Sequence, residues 1–393
     1  MKKIMLFIFI CFIYQVNFAQ KITEGNNKFA IKLLNRLANA NANSFFSPYS
    51  ISTALFMTTG GAKSQTEQQM LKVLEQPMNT PEFHNQFGQH IALVEKKEKI
   101  QLNIANSLWM QKGFKFQQAY IDLLNNAYKA KLNECNFAVN PDMEAKKINK
   151  WVESKTKSKI KDLIKPGILK PNTKMVLVNA IYFFGGWNKE FLKENTKTAD
   201  FKLNNGQLVK ADFMNAEYNM FYASNADFEM LSIPYEKSEA TMLVFLPRSK
   251  DNFKNTLNSL NFESYNALVG QLKQHKVNVS IPKFKMTAEF ELKETLSEMG
   301  MPIPFSDAAD FSAMSAEDEL KIDKVIHKAF IDVSEKGTEA AGATAIVITT
   351  KSAMPDKEQV IYFKADHPFI FMIKDNATGQ ILFAGVLNKP EKQ

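Results

Sequence analysis

The sequence predicts an α+β fold, and three observations carry that expectation. Apolar residues at helical spacing dominate the first part of the chain, and nearly continuous β-branched and aromatic runs dominate the second. No regular βαβ alternation or internal repeat connects the two. The 393 residues would allow two or three domains by length, but no Pro/Gly/Ser-rich linker divides them. A hydrophobic content of 45% with 23% charged residues describes an ordinary globular chain with a large core.

Residues 1–19 have the three-part layout of a secretory signal: Lys2 and Lys3, an apolar stretch from Ile4 to Tyr14, then polar Gln15 and Asn17 before small Ala19. Cleavage after Ala19 would leave a single mature domain, residues 20–393, secreted or periplasmic. The apolar run falls short of the roughly 20 residues that span a bilayer, so no stable membrane anchor is expected. Ile10 stands where lipid attachment at Cys11 would call for a small residue. Losing Cys11 leaves Cys135 as the only mature cysteine, which excludes an intramolecular disulfide and a Cys-rich zinc site.

The elements follow in order. From Asn26 to Ala40, Phe29, Leu33, Leu34 and Leu37 share one helical face. A second helix starts at Ser47, which can cap, and Pro48, which suits the first helical position. Asn140 to Lys157 repeats that pattern, with Asn140 as cap, Pro141 next, Glu144 near the first turn, and Met143, Ile148, Trp151 and Val152 as an apolar stripe. Met175 to Phe184 reads as a central strand buried on both faces. Thr241 to Pro247 and Val277 to Phe284 read as further strands. Near the end, HPFIFMI and QILFAGVL form a buried hairpin, with turn residues at Asp375, Asn376 and Gly379.

The net charge of +8 falls to +6 once Lys2 and Lys3 leave with the leader. Only Arg36 and Arg248 are arginines. Bidentate reading of phosphates and bases relies on arginine, so the basicity describes a solvated lysine surface, without nucleic acid as partner. The lysine excess also fits the coding bias of an AT-rich, bacterial genome. The five histidines, His84, His90, His275, His327 and His367, lie in no metal-ligand spacing, and G-x-S-x-G and G-x-G-x-x-G are absent. In GGAKSQT, at Gly60, the Gly-Lys-Ser order of a phosphate loop is broken by Ala62. Neither an enzyme active site, a cofactor nor a metal is expected.

One segment does not suit a stable surface. Gly337 to Lys351 runs GTEAAGATAIVITTK, small residues first and then an uncharged β-prone stretch. Counted in steps of two, Thr338, Ala340, Gly342, Thr344, Ile346, Ile348 and Thr350 carry no charge, whereas the alternate set includes Glu339 and Lys351. A strand with one buried face has that parity.

Eight segments in order resemble the serpin family of serine-protease inhibitors: NSFFSPYSISTAL, NSLWMQKGFKF, INKWVESKTKSKIKDLI, LVNAIYFFGGW, SIPKFKM, ADFSAM, VIHKAFIDVSEKGTEAAGAT and FKADHPFIFMI. They extend over nearly the whole mature chain. The resemblance implies three β-sheets, eight or nine helices and an exposed reactive-centre loop at about residues 335–357, in a monomer. It also implies suicide inhibition, in which the cleaved loop inserts into the main sheet and traps the acyl-enzyme. Family spacing places the scissile bond at Lys351-Ser352, which suits trypsin-like serine proteases. Met354 or Thr350 would serve a different protease. The hinge is Glu335, Gly337, Thr338, Glu339, Ala340, Ala341, Gly342 and Ala343. Ser47, Ser50, Asn179 and His327 match a hydrogen-bonded cluster called the shutter, where His327 is structural. Trp187 and Lys283 match the breach, where insertion begins and where Lys283 can pair with Glu335. Two other expectations remain open: a non-inhibitory binding protein of the same fold, and a cross-class inhibitor of papain-like cysteine proteases. Lys96, Lys97 and Lys99 lie near where some relatives bind polyanions, although a solvated charge run accounts for them better.

Overall fold

The computed structural model describes residues 2–38, 42–113, 115–130, 132–250, 253–316, 320–338 and 359–391, with side chains from residue 19 onward. Glu339, Ala340, Ala341, Gly342, Ala343, Lys351 and Ser352 lie outside the described residues.

The helical part of the chain comes first. It comprises α1 (Lys2–Leu37), β1 (Ser44–Phe46), α2 (Pro48–Thr59), α3 (Ser64–Val73), α4 (Pro81–Glu95), β2 (Gln101–Gln111), α5 (Gln118–Tyr128), β3 (Leu132–Cys135) and α6 (Pro141–Lys155). The first helix therefore starts well upstream of Asn26 and runs without a break through residues 2–19. All of α2 is buried. It tolerates its Ser and Thr residues because their hydroxyls bond back within the helix, as Thr53 does to Tyr49 O at 2.8 Å and Thr58 to Ala54 O at 2.9 Å. Asn140 caps α6 by accepting from Met143 N at 3.0 Å. The stripe of α6 is narrower than its spacing suggests. Ala145, Ile148 and Val152 are buried, while Met143 is 64% exposed because, two residues before Ala145, it points to nearly the opposite side of the helix.

Strands then dominate: β4 (Met175–Gly186), β5 (Lys197–Lys202), β6 (Leu208–Ser224), β7 (Phe228–Pro234) and β8 (Ala240–Pro247). After α7 (Phe253–Ser259) and α8 (Phe262–Gly270) come β9 (Lys273–Pro282), β10 (Phe284–Glu291) and α9 (Lys293–Glu298). The chain ends with β11 (Lys324–Ser334), β12 (Gly337–Thr338), β13 (Ile361–Lys364), β14 (Phe369–Asp375) and β15 (Ile381–Leu387). The run Val277–Phe284 is two strands rather than one: the chain leaves one sheet at Pro282 and enters the other at Phe284. Proline, unable to donate to a ladder, suits that corner.

One sheet has the strand order β10-β11-β12-β4-β2-β3. The second hydrogen-bonded network has nine strands along β1-β15-β14-β8-β7-β6-β9-β13, with β5 on β6. The 17-residue β6 pairs with β9 through most of its length and with β7 at its far end, so two of the three expected sheets are joined through it.

Alternation along β4 orders the core. Val176, Val178 and Ala180 face α6, together with Trp109, Ile148 and Val152. Ile181 and Phe183 face the other way, onto Phe45, Phe371 and Phe383 of the second network. Asn179 belongs to this inward set and is fully buried, so its amide must find partners.

Candidate functional site: the seam between two parallel strands

Strands β4 and β11 run parallel and pair directly from Val176 to Tyr182 and from Lys324 to Phe330. Above that stretch they separate, and β12 lies between them, antiparallel to both. Thr338 pairs with Val333 on one side and Gly185 on the other, and Gly337 pairs with Ser334 and Gly186. Two parallel neighbours are the geometry that accepts an antiparallel strand between them, because each can then present its ladder to the newcomer.

At the closed end of the seam, three strands align polar side chains. The register places Asn106 opposite Asn179 and Asn179 opposite His327. The amide of Ser47 donates to His327 Nε2 at 3.0 Å, which leaves the other ring nitrogen, Nδ1–H, to donate to Asn179 Oδ1. Asn179 Nδ2 in turn donates to Ser50 Oγ at 2.6 Å and to Asn106 Oδ1 at 2.5 Å, and Ser50 Oγ donates to the same Asn106 oxygen at 2.6 Å. Ser47 Oγ accepts from Ser50 N at 3.1 Å as the α2 cap and donates to Leu382 O at 2.6 Å. Complete burial pushes His327 down to about 3, outweighing its bond to Asn179, so the ring is neutral and fixed in one tautomer. The four residues assigned to the shutter therefore meet, joined by Asn106.

At the open end, aromatic and charged residues surround the turn before β12. Trp187 stacks on Tyr235 with centroids 4.6 Å apart, and its Nε1 donates to Ser334 O at 2.9 Å. Lys283 Nζ lies 3.2 Å from Glu335 Oε2, and Thr196 Oγ1 donates to Glu335 Oε1 at 2.9 Å. Burial disfavours the Glu335 carboxylate, but its own backbone amide, Thr196 and Lys283 outweigh it and hold the group below its usual range. The amide of Phe191 donates to the carbonyl of Glu335, and that of Trp187 to Lys336 O, so the turn is fastened on both sides.

Two glycines on β4 make room for β12. Gly337 has φ +143°, and a Cβ there would lie 2.2 Å from Gly185 O and 2.6 Å from Gly186 Cα. Only glycine fits. The fully buried Thr338 shares a hydrogen bond of 2.7 Å with Tyr235 OH. Asn106, Tyr235, Thr196 and the pair Gly185–Gly186 are the members of the site missing from the sequence reading. Only Asn106, an amide within strand β2, carried a visible signal.

The remaining histidines are structural wherever partners are described. His84 bonds Tyr128 OH at 2.5 Å and Asn79 Oδ1 at 2.6 Å, and His367 bonds Pro247 O at 2.7 Å. Burial alone pushes His84 down to about 4. Among the described residues no group of three or more His, Cys, Asp or Glu is placed to hold a metal ion. Lys97 is not part of a free basic patch. Its ammonium pairs with Asp375, and both side chains are almost completely buried. The next stretch is fixed through Glu239, which accepts from the amides of Glu98, Lys99 and Ile100.

Comparison with known proteins gives a consistent result. The family model described as Serpin (serine protease inhibitor) matches residues 24–390. Human serpin B4 is 36% identical over 391 residues, covering 94% of this chain and 99% of its own. The native-state crystal structure of tengpin, a thermophilic serpin, superposes with a TM-score of 0.85 at 29% identity, covering 94% of each chain. Human thyroxine-binding globulin with its hormone superposes with a TM-score of 0.84 at 28% identity, covering 95% of this chain and 99% of its own.

Proposed function

The chain belongs to the serpin family, and on that premise we propose that it is a suicide inhibitor of trypsin-like serine proteases. The observation that supports this reading best is β12 at the mouth of the β4–β11 seam, with Gly337 and Thr338 already paired on both sides. A protease attacks the Lys351-Ser352 bond and forms an acyl-enzyme. Before water resolves it, the freed segment from Glu339 onward continues β12 down the seam and carries the protease to the far end. About fifteen residues at roughly 3.3 Å each give a strand on the order of 50 Å. At about 0.5–1.5 kcal/mol per backbone hydrogen bond, insertion releases on the order of 10 kcal/mol. The uncleaved form is then held kinetically.

Lysine at position 351 suits a specificity pocket with an acidic floor. The leader of residues 1–19 directs the inhibitor to exported or extracellular proteases, as a monomer. The likeness to thyroxine-binding globulin supports a second reading, a binding protein that does not trap proteases. The small, uncharged hinge residues Thr338, Ala340 and Gly342 favour the first, because each must pass under the sheet.

The test is to mix the mature protein with trypsin. The inhibitor reading expects a complex that survives SDS and a released C-terminal peptide beginning at Ser352. Lys351→Glu abolishes both. Clean cleavage with no complex supports the binding protein instead.

A further inference from the structure

We propose that Gln20, once it becomes the amino terminus, cyclises to pyroglutamate, so that the exported chain begins with a neutral lactam. This rests on cleavage of the leader after Ala19. The chemistry is contained within one residue. The unprotonated α-amine attacks Cδ of the side-chain carboxamide and a five-membered ring closes. The bond from Cδ to the amide nitrogen breaks, and that nitrogen leaves as ammonia with the proton lost by the amine. No oxidant, reductant or second substrate is consumed.

The surroundings of Gln20 favour the ring. Its side chain is exposed, and firm anchoring of α1 begins just behind it. Ile22 is fully buried, Asn26 Nδ2 donates to Gln380 Oε1 at 3.0 Å, and Asn27 Nδ2 donates to Gly379 O at 2.9 Å. Gln20 thus stands outside the pinned part of the helix. In a chain that starts there, its nitrogen is one of the first four without an intrahelical acceptor, so ring closure forfeits no helical hydrogen bond. Its carbonyl is untouched and still serves the turn that follows.

Electrostatics point the same way. A free α-ammonium would add positive charge to the positive end of the α1 dipole. It would also border a cavity of about 390 Å³ whose wall includes Gln20, Glu24, Tyr265, Asn266 and Lys374. Glu24, the acid in that wall, is already paired with Lys28 at 2.6 Å. Burial pushes Lys374 down, and the neighbouring Asp375 only partly offsets this. That wall is poorly suited to a second cation, and the lactam replaces one with a neutral donor and acceptor.

The experiment is to express the full chain with its leader, recover the exported protein and hold it at neutral pH until its mass is constant. The expected product begins at Gln20, weighs one ammonia less than its sequence, resists Edman degradation, and yields an N-terminal Lys21 after pyroglutamyl aminopeptidase. Gln20→Asn, whose ring would have four members, keeps its full mass. A chain beginning at Gln20 with its ammonia retained overturns the cyclisation and leaves the leader standing. A chain beginning elsewhere overturns the leader, and the proposal with it.

Discussion

His327 and Asn179 face each other across the parallel pairing of β11 with β4, and the imidazole Nδ1–H donates to the Asn179 side-chain oxygen where neither residue has any exposed surface. This contact closes the sheet where a further strand would have to pass.

Replacing Asn179 tests how firmly it is closed. Asn179→Ala leaves the His327 Nδ1–H without its acceptor in a fully buried site. An unsatisfied buried polar group costs about 1–3 kcal/mol, so unfolding in urea should occur at a distinctly lower midpoint. An unchanged midpoint would show that the seam is held elsewhere.

Acid should loosen the same region. His327 and His84 are held neutral by burial at about 3 and about 4, below the ordinary value of 6.5, and His90 is lowered for the same reason. The unfolded chain therefore binds more protons in that window. Stability is fully present above about pH 6.5 and falls as pH drops toward the folded values, by up to about 1.4 kcal/mol per unit for each ring. Urea titrations between pH 8 and pH 5 should show a plateau and then a decline, and His327→Gln should reduce the slope.

Gly337→Ala places a methyl group against Gly185 O. Strain at a backbone angle reserved for glycine costs about 1–3 kcal/mol. The expected outcome is expulsion of β12 from the seam, read as faster proteolytic cutting near Thr338 and a raised stoichiometry of inhibition.

Thr338→Arg brings a charge beneath the sheet beside Tyr235 OH, where the native hydroxyl is fully buried. An unpaired buried charge costs several kcal/mol, so β12 leaves the seam in the uncleaved chain and its re-entry after cleavage falls behind deacylation. The variant should be cleaved as a substrate with its fold intact. Inhibition at the original stoichiometry would rule out insertion through this seam.

Asp375→Asn isolates the Lys97 ammonium inside the protein. Breaking a buried pair costs about 3–5 kcal/mol. Asp375 also accepts from Thr378 N at 2.9 Å and from its hydroxyl at 2.6 Å, so the final turn should loosen as well. A thermal unfolding midpoint equal to that of the parent would show the pair to be dispensable.

Patterning made the α2 cap at Ser47, the buried strand β4 and the closing hairpin legible in advance, because each depends on neighbours in the chain. The split of Val277–Phe284 between two sheets was hidden, since the apolar run continues into Phe284 and only Pro282 marks the corner. The role of Asn106 was hidden for a different reason. Its meaning comes from register with Asn179 and His327, which are distant in sequence. The Lys283–Glu335 pair was legible through family resemblance, whereas the stacking of Trp187 on Tyr235 needed three-dimensional placement. Lys97 looked like one lysine of a solvated run because its partner, Asp375, lies far along the chain.

Strand β1 pairs with β15, and Asn26 and Asn27 bond to Gln380 and Gly379, so the earliest elements of the domain are completed by the last hairpin. While the ribosome is still at work, α1 and α2 lack the last strand of their packing surface, β15. Contacts of such long sequence separation form slowly. The fold therefore cannot close until the last hairpin has left the ribosome.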